Sequence, residues 1–182
     1  MMFPFIVPMV MGCFAPHART VGLVGYGSGV SVKAALSHKS VERLDVIELE
    51  QAILDASPWF ECINGTPLDD PRVHLIVEDG RVHLTYTDRV YDVIISEPSN
   101  PWIAGIANLF TTDFYQRVRG RLAPDGVFGQ WIQAYQISEP ALAGILKTVH
   151  SVFPHCIVMQ LSPFDLMILA STQPISVPWE EF

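Results

Sequence analysis

Short apolar runs rich in β-branched residues alternate along this chain with longer stretches of helical period. "TVGLVGYG" (20–27) is an apolar run ending in glycines, the pattern of a strand buried on both faces. "GVSVKAALS" (29–37) follows with helical spacing. "RLDVIELE" (43–50) predicts a second strand, and "QAILDASPWF" (51–60) a helix broken near Pro58. "RVHLIVEDG" (72–80) and "YDVIISEP" (91–98) predict a third and a fourth strand. "TTDFYQRVRGRL" (111–122) is helical, with Thr111 or Thr112 as N-cap; "APDG" (123–126) is a turn and "VFGQWIQA" (127–134) a fifth strand. "SEPALAGILKTVHSVF" (138–153) opens with Ser138 as cap and Pro140 in its first turn, then carries an apolar helical stripe. "CIVMQL" and "DLMILAS" close the pattern as two strands with only a few residues between them.

Strand–helix alternation specifies a parallel sheet covered on both faces. The last two strands are too close together for a helical crossover, so they are expected to pair antiparallel. The predicted architecture is α/β: a doubly wound, mostly parallel seven-stranded sheet with one antiparallel strand near the edge. No internal repeat, linker or low-complexity stretch interrupts it, so residues 1–182 read as one domain. The apolar start, "MMFPFIVPMVMGCFAP", lacks the basic segment of a signal peptide and is too short and Pro-interrupted to span a bilayer. Residues 1–17 are therefore expected to pack on the core.

Composition narrows the function. Apolar residues make up 49% and charged residues 16% of the 182, a globular balance. The formal charge of −8, from 19 acids against 11 bases, argues against a nucleic-acid partner, which would need clustered Lys and Arg. It is compatible with a cationic ligand. Cys13, Cys62 and Cys156 form no CxxC pair, so neither a disulfide framework nor a zinc site is indicated and a cytoplasmic location is the default. His74 and His83 have no partner acid at ligand spacing and read as satisfied surface histidines; no metal is predicted.

Ligands of open α/β sheets bind at the carboxyl ends of the strands, near the switch in strand order. The first strand ends in Gly25-Tyr26-Gly27-Ser28-Gly29, the second delivers Glu48, the third Glu78-Asp79-Gly80 and the fourth Glu97. The glycines remove Cβ atoms where the chain turns sharply and a ligand approaches the backbone. Glu48 lies 19 residues past Gly29, the spacing that sets a carboxylate on ribose hydroxyls. Asp79, on the neighbouring strand end, is expected on the adenine side, although a turn-forming role is the alternative. Val30 stands where a dinucleotide loop would have its third glycine, so an adenosine without pyrophosphate fits better than NAD. Trp102, Phe110 and Trp131 are candidate walls of an acceptor pocket, and Gln130 and Gln133 leave the fifth strand near it.

Taken in order and spacing, "VGLVGYGSG", "SVERLDVIELE", "DPRVHLIVEDGR", "YDVIISEPSNPWIAGIANLF" and "FYQRVRGRLAPDGVFGQW" resemble the catalytic domain of spermidine synthase and the wider polyamine aminopropyltransferase family, over about residues 18–172. The resemblance implies the class I methyltransferase-like Rossmann fold and transfer of an aminopropyl group from decarboxylated S-adenosylmethionine to an amine such as putrescine. It places Gly25, Gly27, Ser28 and Gly29 under the sulfonium co-substrate, Glu48 on the ribose, and Asp79 with Gly80 on the adenine. Glu97 stands at the position of the family's catalytic aspartate, with Asn100 and Gln130 toward the acceptor. The departures are specific. The family's Asp-Ser-Ser-Asp-Pro loop reads Glu97-Pro98-Ser99-Asn100-Pro101, and Ser28 replaces an aspartate near the aminopropyl ammonium. The family's late-loop tyrosine gives way to "SPFD" (162–165). No counterpart of the family's amino-terminal β-rich lid precedes the domain, which points to a homodimer or a membrane-linked partner region. Two other readings stay open: a methyltransferase using ordinary S-adenosylmethionine, and a non-catalytic nucleoside-binding module.

Overall fold

A computed structural model of the chain describes residues 6–98, 102, 103 and 105–176. Its core is a seven-stranded sheet: β1 (Thr20–Val24), β2 (Arg43–Glu48), β3 (Val73–Val77), β4 (Tyr91–Ser96), β5 (Leu122–Gln133), β6 (His155–Ser162) and β7 (Asp165–Ser171), in the order β3-β2-β1-β4-β5-β7-β6. The β3-β2-β1-β4-β5 pairs are parallel, whereas β7 runs antiparallel to both β5 and β6. The predicted mixed sheet is thus the observed one, its reversed strand second from the edge. Strand order reverses at β1, which sits between β2 and β4.

Both faces of the sheet's central strands are buried because they alternate between two apolar layers, while the edge strand β3 keeps Leu75 and Val77 exposed. Val93 and Ile95 of β4 join Val127, Trp131, Met167 and Leu169 in one layer, while Ile94, Phe128, Ile132, Ile168 and Ala170 point to the other. The first layer is closed by α1 (Ile6–Met9), α2 (Val30–Leu36) and α3 (Gln51–Asp55), with α4 (Glu61–Asn64) beside α2, and the second by α5 (Gly80–Tyr86), α6 (Thr112–Arg121) and α7 (Glu139–Val152). Val7, Val10 and Met11 of the apolar start are fully buried against β1 and α2 residues in the first layer. Thr111 and Ser138 cap α6 and α7 by accepting from the Phe114 and Ala141 N–H groups.

Three elements differ from the sequence reading. Leu122 pairs with Tyr91 but the next pair is Val127 with Val93, so "APDG" is a bulge inside β5 rather than a turn before it. Helix α5 occupies a stretch rich in strand formers, because a parallel connection from β3 to β4 must cross over and Asp79 caps it by accepting from Arg81 N–H at 2.8 Å. His83, on α5, is not a surface histidine. It is buried, and its Nε2 lies 2.9 Å from the Tyr91 hydroxyl, which donates to Asp45 Oδ2 at 2.8 Å. Since the hydroxyl proton goes to Asp45, His83 is the Nε2–H tautomer, and burial keeps its pKa below the usual histidine value. Arg43 and Arg89 complete the network at 2.7 and 3.2 Å from the Asp45 carboxylate; the Arg43 contact is close without hydrogen-bond alignment. Gly22 of β1 makes the network sterically feasible, since the Tyr91 ring passes 3.3 Å from where its Cβ would be.

Candidate functional site

The ends of β1 to β4 are clamped into one rim. Gly25 N–H donates to the Ile47 carbonyl at 2.9 Å, Glu97 N–H to the Val24 carbonyl at 3.0 Å, and Glu78 N–H to the Glu48 carbonyl at 3.1 Å. Each bond carries the ladder one residue beyond a strand, so the side chains that follow emerge together beside the first glycine turn. Gly25, Gly27, Ser28, Glu48, Asp79, Gly80 and Glu97 all line a single cavity of about 730 Å³, the size range of a small-molecule site.

The turn after β1 is specified sterically. Gly25 has φ +98°, and a Cβ there would lie 3.0 Å from the Glu97 carbonyl oxygen, so glycine lets the turn lie against the end of β4. Gly29, at φ +75°, opens α2; its Cβ would collide with the Tyr26 hydroxyl. Gly29 is not itself a lining residue. Tyr26 is buried beneath the turn with its hydroxyl against Ser57 Oγ, and Asn64 Nδ2 donates to the Ser28 carbonyl at 2.7 Å.

The acids are held in three different ways. Glu48 accepts from Tyr26 N–H at 2.8 Å and from Glu50 N–H at 3.0 Å, one bond per oxygen, which leaves a lone pair on each. Asp79 is employed locally: it caps α5 and pairs with Arg81, whose hydrogen bond is the main reason its carboxyl titrates below the usual carboxylate range. Glu97 retains partial exposure through the cavity, yet its Oε1 is cut off from solvent and has no hydrogen-bond partner, while Oε2 accepts from Ser31 Oγ at 2.6 Å. Burial pushes the Glu97 carboxyl up to about 7, against the opposing pull of the Ser31 hydrogen bond. A carboxyl poised near neutrality is suited to taking up a proton at physiological pH.

Gln130 requires a correction. It shares its strand face with Phe128 and Ile132, so its amide is buried in the second apolar layer, donating to the Ser96 carbonyl at 3.3 Å and the Trp131 carbonyl at 3.2 Å. Gln130 does not line the cavity; Gln133, on the Trp131 face of β5, does. The alternation of a strand was sufficient to separate the two. Of the candidate aromatic walls, Trp131 lines the cavity, Phe110 belongs to the second apolar layer, and Trp102 meets Tyr135 edge-on with ring centroids 5.5 Å apart. Asn100 lies outside the described residues. Ser31 and Arg81 were not singled out from sequence; a serine in the otherwise apolar first turn of α2 was the available signal for the first.

Gly80 serves packing. A Cβ there would sit 2.7 Å from Val24 Cγ1, and Val24 is stiff and buried. Gly80→Ala is expected to lower stability by about 1–3 kcal/mol through overpacking, read from the urea denaturation midpoint. Adding Val24→Ala should restore much of the loss; a second variant no better than the first would locate the strain elsewhere.

Among the described residues no group of three or more His, Cys, Asp or Glu comes together as a metal site, and no helix is long and apolar enough to cross a membrane. The strand order and the cavity at its switch point are those of the class I methyltransferase-like fold. Human methyltransferase-like protein 13 in complex with SAH superposes with a TM-score of 0.73 over 99% of this chain and 85% of its own, at 16% identity. The chain belongs to the spermine/spermidine synthase family, whose domain model matches residues 6–177. It is 29% identical over 139 residues to the polyamine aminopropyltransferase of Bacillus subtilis, covering 76% of this chain and 50% of that protein. A spermidine synthase in complex with the transition-state analogue AdoDATO superposes with a TM-score of 0.83 at 25% identity, covering all of this chain and 63% of the other. The chain spans about half the length of the curated relatives it matches.

Proposed function

We propose that this chain is the catalytic unit of a polyamine aminopropyltransferase, with decarboxylated S-adenosylmethionine as donor and an amine as acceptor. The observation that carries this reading is the Glu97 carboxyl: buried, with one oxygen unpartnered, and set at the carboxyl end of β4 beside the glycine turn. An amine reaches the site as ammonium and becomes a nucleophile only after losing a proton, which the Glu97 carboxylate accepts. The nitrogen lone pair then attacks the aminopropyl carbon bound to sulfur. The C–N bond forms, the C–S bond breaks with its electrons going to sulfur, and methylthioadenosine leaves. Ser31 Oγ, donating to Oε2 at 2.6 Å, orients the carboxyl.

The residues fit an adenosine-bearing sulfonium. The unused lone pairs of Glu48 suit the two ribose hydroxyls, and the Gly25–Gly29 turn with Ser28 lies under the sulfur. Asp79 and Gly80 bound the adenine end, with the Asp79 carboxylate already engaged by Arg81. Asn100 keeps its proposed acceptor-side role from its place in the loop after Glu97. The three cysteines form no CxxC pair in the sequence, which suits a reducing cytoplasm.

Calorimetry with decarboxylated and ordinary S-adenosylmethionine tests the donor. The decarboxylated form is expected to bind at least about tenfold tighter, because a second carboxylate beside Glu97 would be repelled in a poorly solvated site. Tighter binding of ordinary S-adenosylmethionine would overturn the assignment and favour methyl transfer.

A further inference from the structure

At the end of the cavity built from the ends of β2 and β3, the wall carries a cation among its acids. Glu48, Glu50, Glu78 and Asp79 stand there together with Arg81. Asp79 and Arg81 form a fixed couple. Asp79 Oδ1 accepts from the Arg81 N–H at 2.8 Å and from Nε at 3.1 Å. Oδ2 accepts from Nη2 at 2.5 Å and only shares the Nε proton, at 3.2 Å, so of the roughly four acceptor sites on the carboxylate the vacant one is on Oδ2. Nη1, the other arm of the guanidinium, makes no bond to any described residue. The Arg81 side chain stays 37% exposed, which leaves that arm open to a ligand.

We infer that Arg81 is a base-reading residue: Asp79 Oδ2 accepts a 6-amino proton of the adenine while the Arg81 guanidinium donates to the ring nitrogen beside it, N1 or N7. The inference rests on the adenosine reading of the cavity and deepens it. A bare carboxylate offers acceptors alone and does not distinguish one amine from another. With the guanidinium docked on it, the couple presents an acceptor next to a donor, the face of a carboxamide. That is the pattern with which Asn and Gln side chains read adenine through its amino group and N7. Because Asp79 already holds the planar fork, Arg81 gives up little further side-chain freedom when the base arrives.

Calorimetry on the full chain compares methylthioadenosine with its 1-deaza and 7-deaza analogues, in which C–H replaces one ring nitrogen. The unaltered protein is expected to lose about tenfold or more in affinity for at least one analogue, the worth of a hydrogen bond from a charged donor. Arg81→Ala should bind methylthioadenosine about tenfold more weakly and show no further loss with that analogue, because the donor facing the missing nitrogen is gone. A purely structural role for Arg81 would weaken all three ligands alike and leave their ratios unchanged. Equal affinity of the unaltered protein for the three ligands, or an analogue loss that persists at full size in Arg81→Ala, overturns the inference and leaves the nucleoside site standing. Failure of the unaltered protein to bind methylthioadenosine overturns both.

Discussion

Glu97→Gln is expected to lower the proposed aminopropyl transfer by about 10²–10⁴-fold while leaving methylthioadenosine affinity close to that of the unaltered protein. The glutamine amide has the volume of the carboxyl, and its oxygen can still accept from Ser31 Oγ in place of Oε2, which receives that bond at 2.6 Å. What it lacks is the capacity to hold a proton. The pH profile of the unaltered protein should show an acidic limb near 7, with turnover rising as the carboxyl loses its proton, because that is where burial has moved Glu97. In the variant the limb should vanish along with the rate. Full turnover in Glu97→Gln, or an unchanged acidic limb, would remove Glu97 from the proton transfer and leave it a structural acid.

The same substitution is expected to stabilise the ligand-free protein at alkaline pH. The Glu97 carboxyl titrates at about 7 in the folded chain against an ordinary value of 4.5, so between those values the folded state holds the extra proton. Stability from this group is therefore complete below about 4.5 and declines as pH rises to about 7, with no further change above. A shift of that size corresponds to about 3 kcal/mol. Glu97→Gln cannot ionise, so the difference in unfolding free energy should be near zero at pH 4.5 and approach about 3 kcal/mol in favour of the variant at pH 8. Taking the difference removes the opposite trends of Asp70 and Asp79, whose arginine-paired carboxyls are stabilised in the charged form. Urea denaturation at the two pH values decides it; equal gaps between the two proteins at both would mean that the buried oxygen is solvated in the ligand-free state. An acid that destabilises the empty site is the expected signature of a residue kept for function, here the proposed proton acceptor.

The contrast between Glu97 and Asp79 marks the limits of reading acids from strand ends. Both were placed at the rim from local pattern, and both line the cavity. Yet Asp79 is neutralised by Arg81, two residues away, whereas Glu97 is left with a bare oxygen by packing from elements far along the chain. Gln130 and Gln133 make the opposite point: their separation was legible from strand alternation alone and needed only the period to be applied.

Strands, caps, the glycine turn and the acids at strand ends were legible in the chain because each depends on neighbours a few residues away: β-branched runs, a hydroxyl before a helix, a missing Cβ in a left-handed turn. The reversed final strand followed from the short gap before it, since a crossover cannot be made in so few residues. Other properties depended on contacts between distant segments. Ser31 meets Glu97 across 66 positions, Tyr91 meets Asp45 across 46, and His83 is buried only because α5 packs onto that pair. Burial of a charge and the sharing of a hydrogen bond belong to the assembled core, where solvent has been excluded by residues with no local relation to the group they enclose. That is why the place of the carboxyl was readable in one dimension and its proton affinity required three.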